Sequence, residues 1–173
     1  MAPSIIFRSK NYTVVMPARF TVSHDVLDAT VVSDSLACDQ PVGALIAFSG
    51  VVRGVNQGRQ VLRLDYEGYE PMIVRVFEQI AGEIDATWPG TACAIHHRLG
   101  TLQIGDVSIV IATASAHRAA AYAASRYAIE RVKQIAPIWK HEYFEGGDVW
   151  IEGAVAGADD DAARKKAMVT ACA

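Results

Sequence analysis

Apolar positions along the chain change period in a fixed order. Residues 19–23 alternate and predict a short strand, and the polar run 33–40 reads as a short helix or loop leading into Pro41. Residues 42–52 (VGALIAFSGVV) are rich in Val, Ile, Leu and Phe, which predicts a buried strand with Gly50 marking a bulge or a close backbone approach. Turn chemistry fills 54–58, and Val61, Leu62 and Leu64 beyond it predict a second strand returning as a hairpin. From 70 to 88 the period lengthens. Met72, Val76, Ile80 and Ile84 recur every four residues with Ile73 and Phe77 beside them, while Arg75, Glu78, Gln79 and Glu83 point elsewhere. That is an amphipathic helix, closed by Pro89 and Gly90.

Residues 91–97 and 107–113 predict two more strands, joined by turn signals at Leu99-Gly100 and Gly105-Asp106. Ser115 reads as the N-cap of an alanine-rich helix over about 116–135, stopped before Pro137. Short alternating segments at 138–143 and 149–152 flank Gly146 and Gly147. Residues 1–17 read as an extension closed by Pro17, 18–153 as one domain, and 154–173 as a tail whose acids precede its bases, the charge order of a short helix. The order β, β, α, β, β, α, β has more hairpins than crossovers. It predicts a single α+β domain, a largely antiparallel sheet packed with two main helices.

Composition narrows the possibilities. With 173 residues, 51% of them hydrophobic, and a mean hydropathy of +0.18, the chain can bury a core without disulfides or a structural metal. No run approaches the roughly 18 apolar residues of a membrane span, and Arg8, Lys10 and Asn11 interrupt the N-terminal apolar patch that a secretory signal would need. A cytoplasmic protein is expected. Cys38, Cys93 and Cys172 are odd in number and widely spaced, unlike a disulfide framework or a zinc knuckle. The net charge of −3 gives no reason to expect nucleic acid. Its distribution says more: residues 117–140 hold five basic side chains against Glu130 alone, and 141–173 hold seven acids against three bases. A cationic stretch in an acidic chain suits a pocket for a small anion or a partner's carboxylate.

Arg118, Arg126 and Lys133 fall on one polar face of the predicted helix at 100° per residue. Arg118 and Lys133 are nevertheless about 22 Å apart along the axis, beyond the joint reach of two side chains on one small ligand. Either these cations form a solvated face, or a second subunit brings the two ends together. Pro137, Trp139 and Lys140 follow; the tryptophan can anchor the turn in the core, and the reversal lets Lys140 approach Lys133. Paired ammonium groups would depress one lysine's pKa, whereas two ordinary surface lysines are the plainer reading. His117 and Arg118 sit where a helix N-terminus favours an anion, though a histidine there can simply be a cap. Arg53 leaves a strand end like a residue projected into a site. His96 and His97 are adjacent on a strand and so point to opposite faces, which discounts a metal site. No phosphate loop, nucleophile elbow or dinucleotide fingerprint is present.

Taken in order, GALIAFSGVVRG (43–54), LDYEGYEPM (64–72), HHRLGTLQIGD (96–106), ASAHRAAAYAASRYAIERVKQIAPIWKHE (114–142) and GDVWIEG (147–153) resemble the catalytic large subunit of molybdopterin synthase. The resemblance spans about 18–153. It implies an α/β-hammerhead-like fold and a sulfurtransferase that builds the dithiolene of molybdopterin on cyclic pyranopterin monophosphate. The sulfur would come from the thiocarboxylated C-terminal Gly-Gly tail of a small ubiquitin-like subunit. It further implies a homodimer at the core of a heterotetramer, with no cofactor, metal or nucleotide in this subunit. On that pattern Lys133 and Lys140 are the catalytic lysines, and Arg53, His117 and Arg118 bind the anionic substrate across the dimer. One departure stands out: a basic residue that follows the Trp-x-Glu in some relatives is replaced by Gly153 and Ala154, leaving Arg164, Lys165 and Lys166 further on. Two other readings share these residues. A non-catalytic module would dock the small subunit without turnover, and an unrelated phosphate-ester enzyme would use His117 and Arg118 with no protein partner.

Overall fold

The computed structural model describes residues 5–9, 12–16, 18–36, 42–151, 153–157 and 159–173. Cys38 and the end of the predicted 33–40 segment lie outside them. Ile5–Ser9 (β1) and Tyr12–Met16 (β2) pair antiparallel as a two-stranded sheet of their own, so the segment read as an unpatterned extension contains a hairpin.

A four-stranded sheet runs in the order β3-β7-β9-β4, formed by Phe20–Ser23, Ala92–Arg98, Val107–Ser115 and Ala44–Val51. Only the β3–β7 pair is parallel. Two 18-residue helices, α2 (Glu70–Thr87) and α3 (Arg118–Ile135), cover one face, and the short α1 (Ala29–Asp34) covers the other. Ile95, Ile109 and Ile111 meet Ile73, Phe77, Ile80 and Tyr127 in the main core, while Ala94, Val110 and Ala112 pack beneath Val32 and Leu36. Burial on both faces explains why apolar residues follow one another without alternation at 92–95 of β7 and 109–112 of β9.

The second sheet has the order β11-β10-β6-β5, with β8 (Gly100–Gln103) also paired to β6. Its strands are β5 (Val55–Asn56), β6 (Arg59–Gly68), β10 (Ile138–Phe144) and β11 (Gly147–Ile151). Val52, Val61, Leu64 and Leu102 form its small core. A last helix, α4 (Asp161–Cys172), is capped by Asp160, whose carboxylate accepts from the Ala163 N–H at 3.0 Å, and it packs on α3. The α+β class is as the hydrophobic pattern predicts.

Several details differ from it. Strand β4 is an edge strand, with Leu45, Phe48 and Val51 at 45%, 37% and 51% exposure, not a buried one. Its partner is β9 of the same four-stranded sheet and not β6; the expected hairpin is the local β5–β6 turn instead. Gly50 does mark a bulge: the β4–β9 register shifts at Gly50/Val51, and a Cβ there would lie 2.6 Å from Ile109 Cγ2. On α2 the buried stripe is Ile73, Phe77, Ile80 and Ile84 together with Glu83, and Met72 turns outward. The α3 N-cap is His117, with no side-chain capping bond, because β9 continues through Ser115.

Glu83 is buried because Arg131 answers it. The guanidinium donates from Nε to Oε2 at 2.8 Å and from Nη2 to Oε1 at 2.9 Å, and Tyr127 donates its hydroxyl to Oε2 at 2.7 Å. Burial raises the Glu83 pKa, but these bonds and that of Gln79 outweigh it and leave the carboxyl below its ordinary value. Arg164 of α4 approaches the same carboxylate at 3.7 Å, so the C-terminal helix is tied to the α2–α3 seam.

Candidate active site

A cavity of about 700 Å³ opens where the two sheets meet the C-terminal half of α3. Arg53, just past the end of β4, lines it with Lys133 of α3 and Lys140 of β10; Tyr66, His97 and Ser108 contribute polar groups of their own. Each cation is carried by a different element. The bulge at Gly50 turns the end of β4 toward the second sheet, the last turn of α3 presents Lys133, and the exit through Pro137 starts β10 so that Lys140 falls opposite Tyr66 of β6. Trp139, expected to anchor that turn in the core, points the other way and is 47% exposed, since neighbours on a strand alternate faces.

Lys140 is partly buried, and desolvation is the main reason its pKa lies below that of an ordinary lysine. Glu142 opposes the shift, whereas Arg53 and Lys133 add to it. The lysine pair therefore does interact as the spacing suggests, but burial contributes more than mutual repulsion. Glu142 is 1% exposed and lies 3.8 Å from Lys140 Nζ and 3.9 Å from Arg59. Its carboxylate accepts from Asn56 Nδ2 at 2.9 and 3.2 Å, and Asn56 Oδ1 accepts from Arg53 at 3.2 Å.

Beneath these cations the lining is neutral. Tyr66 has its pKa raised by burial, against a hydrogen bond from Ser108, with the Glu142 charge raising it further. Burial pushes His97 down to about 4, so it is uncharged at neutral pH, and its ring meets that of Tyr66 edge-on at 5.2 Å. His96 turns to the opposite face and bonds the Ala18 carbonyl at 2.7 Å. Among the described residues no group of three or more His, Cys, Asp or Glu side chains could hold a metal. Cys93 is buried, with its thiol pushed up to about 12 by desolvation.

His117 and Arg118 do not reach this cavity within one chain. They are exposed at the far end of α3, and the helix is continuous from Arg118 to Ile135, which keeps the axial separation from Lys133 near 22 Å. Arg164 and Lys165 line a separate pocket with Tyr127 and Met168, so they do not replace the missing basic residue at Gly153 in this chain's own cavity.

Sequence reading missed Glu142, Asn56 and Tyr66. Glu142 was within reach of it: two residues past Lys140 on a strand is the same face. Tyr66 was not, because its place opposite Lys140 depends on which strands pair.

Comparison with known proteins gives the chain its relatives. The family model described as MoaE protein matches residues 22–135. The chain is 52% identical over 109 residues to the molybdopterin synthase catalytic subunit of Bacillus subtilis, covering 63% of this chain and 69% of that one. Among solved structures it resembles the crystal structure of molybdopterin synthase from Staphylococcus aureus with a TM-score of 0.74 and 39% identity, over 79% of this chain and 98% of that one. A likeness of fold extends to a Helicobacter pylori structure, a complex of subunits 1 and 2 of molybdopterin-converting factor, with a TM-score of 0.64 at 23% identity over 81% of this chain and 94% of that one. The family match over 22–135 and the identity to these catalytic subunits place the chain in the MoaE family of molybdopterin synthase catalytic subunits.

Proposed function

We propose that this chain is the sulfurtransferase subunit of a cytoplasmic molybdopterin synthase. It takes cyclic pyranopterin monophosphate into the cavity and receives sulfur from the C-terminal thiocarboxylate of a small ubiquitin-like subunit. The observation that carries this reading is the convergence of Arg53, Lys133 and Lys140 on one cavity with a neutral floor. A phosphate oxygen suits the planar fork of Arg53. A carrier tail ending in a thiocarboxylate suits a lysine. The thiocarboxylate sulfur attacks a substrate carbon and forms the C–S bond as a C–O bond at that carbon breaks, its oxygen departing as water or with the opened phosphate ester. Water then adds at the acyl carbon and cleaves the acyl–sulfur bond, leaving the sulfur on the substrate as a thiolate and the carrier as a carboxylate. A second carrier delivers the second sulfur. Lys140, with its lowered pKa, is suited to pass protons in these steps, and Lys133 to stabilise developing negative charge.

In this reading the site is completed by a second copy of the chain. The free edge of β4 runs from Ala44, next to the start of α3, to Val51, next to Arg53. If β4 pairs with its own copy about a two-fold axis, the two strands are antiparallel, and one copy's His117 and Arg118 come beside the other's Arg53. Eight residues of strand span about 27 Å, close to the length of helix that separates these groups within one chain. Exposed Leu45, Phe48 and Val51 supply the apolar surface that such an edge would cover.

The test is a single-turnover assay with thiocarboxylated small subunit and cyclic pyranopterin monophosphate. Wild type is expected to form dithiolene, and Lys133→Ala to lose at least about a hundredfold in rate, the scale of a removed charge-stabilising group. Equal rates for the two proteins would point to a docking module, and turnover of simple phosphate esters without the carrier would point to a different enzyme.

A further inference from the structure

We propose that Asn56 is a positioning residue that couples Arg53 to the buried carboxylate of Glu142, so that one anion sets the places of two cations in the cavity. Asn56 is the last residue before a two-residue turn whose central positions, Gln57 and Gly58, have φ of 50° and 78°. That tight turn holds the backbone of Asn56 opposite Arg59, and the bonds to Arg53 and Glu142 hold its amide. A guanidinium only donates and a carboxylate only accepts, so the amide lying between them has one workable orientation: Oδ1 toward Arg53 and Nδ2 toward Glu142. An aspartate here would repel Glu142, and a cation would repel Arg53. The amide serves both, accepting through Oδ1 and donating through Nδ2.

The carboxylate at the centre of this chain is shut from solvent and has a second duty. Glu142 lies 3.8 Å from Lys140 on its own strand, and Arg59 of β6 approaches it at 3.9 Å. Lys140 is in turn faced by Arg53 from beyond β4, Lys133 from α3, Tyr66 from β6 and His97 from β7. Glu142 is the one negative charge in that group, and it opposes the loss of the Lys140 proton. The two functions separate by residue: Asn56 sets where Arg53 points, and the Glu142 charge sets how tightly Lys140 holds its proton.

This proposal rests on reading the cavity as an anion site, and its test includes measurements that need no turnover. Inorganic phosphate affinity is measured by calorimetry, and the pH profile of Lys140 acylation by acetic anhydride is read by mass spectrometry, for wild type, Asn56→Ala and Glu142→Gln. Asn56→Ala is expected to weaken phosphate binding about three- to tenfold, the scale of one lost hydrogen bond, with the Lys140 profile nearly unmoved. In turnover it raises KM by a similar factor and changes kcat by less than about twofold. Glu142→Gln keeps an oxygen for Asn56 but removes the charge, so the Lys140 midpoint falls by about one pH unit while phosphate affinity holds. Should Glu142→Gln fail to fold by circular dichroism, Asn56→Asp replaces it, and the added negative charge moves the Lys140 midpoint upward. Unchanged phosphate affinity in Asn56→Ala, or an unmoved Lys140 midpoint in the charge variant, overturns the proposal. Absence of turnover in wild type would instead count against the sulfurtransferase reading and leave these two measurements to judge Asn56.

Discussion

His97 carries a pH dependence that follows from its burial. Its pKa falls from 6.5 to about 4 on folding, so between those values the unfolded chain binds the proton and the native chain does not. Stability therefore rises with pH through this window and is lost as the pH falls, by roughly 3 kcal/mol once pH 4 is reached. His96, lowered in the same direction, adds to the loss. Urea denaturation at pH 7.5, 6.0 and 5.0 checks this: the expected midpoint drops at each step in wild type and drops less in His97→Phe, and identical slopes for the two proteins would refute it. The Glu83–Arg131 pair has another signature. Arg131→Ala leaves the carboxylate buried without its two-point partner and is expected to cost about 3–5 kcal/mol, read as a fall in the thermal midpoint. Loss of less than about 1 kcal/mol would mean that Arg164, already 3.7 Å away, takes over the carboxylate.

Single elements show where local pattern is a sufficient guide and where it fails. The β5–β6 turn was legible: Gly58 takes φ 78°, which a Cβ disfavours, and Gly58→Ala is expected to destabilise by about 1 kcal/mol in equilibrium denaturation, although open space surrounds the site. No change would show that the turn relaxes without cost. Helix α3 was legible too, from its alanines and the proline beyond it, as was the bulge at Gly50. The α2 stripe was not. Counting hydrophobics alone sets Glu83 among the solvated positions, and its true place depends on Arg131, 48 residues later. Strand β4 misled for a related reason, because an edge strand that carries Leu45, Phe48 and Val51 has the same composition as a buried one. The choice of β9 over β6 as its partner is a non-local decision that no local period records.

At the scale of the whole molecule, the layered fold does one thing that a single element cannot: it gathers Arg53, Lys133 and Lys140 from β4, α3 and β10 around one cavity, while leaving His117 and Arg118 at the opposite end of a rigid helix. The approach of Lys140 to Lys133 was legible from the reversal at Pro137; that Arg53 joins them was not, since it requires two sheets to meet. The 22 Å between the helix ends was legible, because it follows from rise per residue alone. It makes the shared site the central claim of this account. Complementation between two inactive variants tests it most directly. Lys140→Ala and Arg118→Ala are purified separately, mixed, unfolded and refolded together, and assayed with carrier and pterin monophosphate. Random reassociation makes half of the dimers mixed, and each mixed dimer holds one site with both residues intact, so activity is expected to return to about a quarter of wild type. Activity that stays at the level of the separate variants would contradict the shared site and place all the chemistry within one chain.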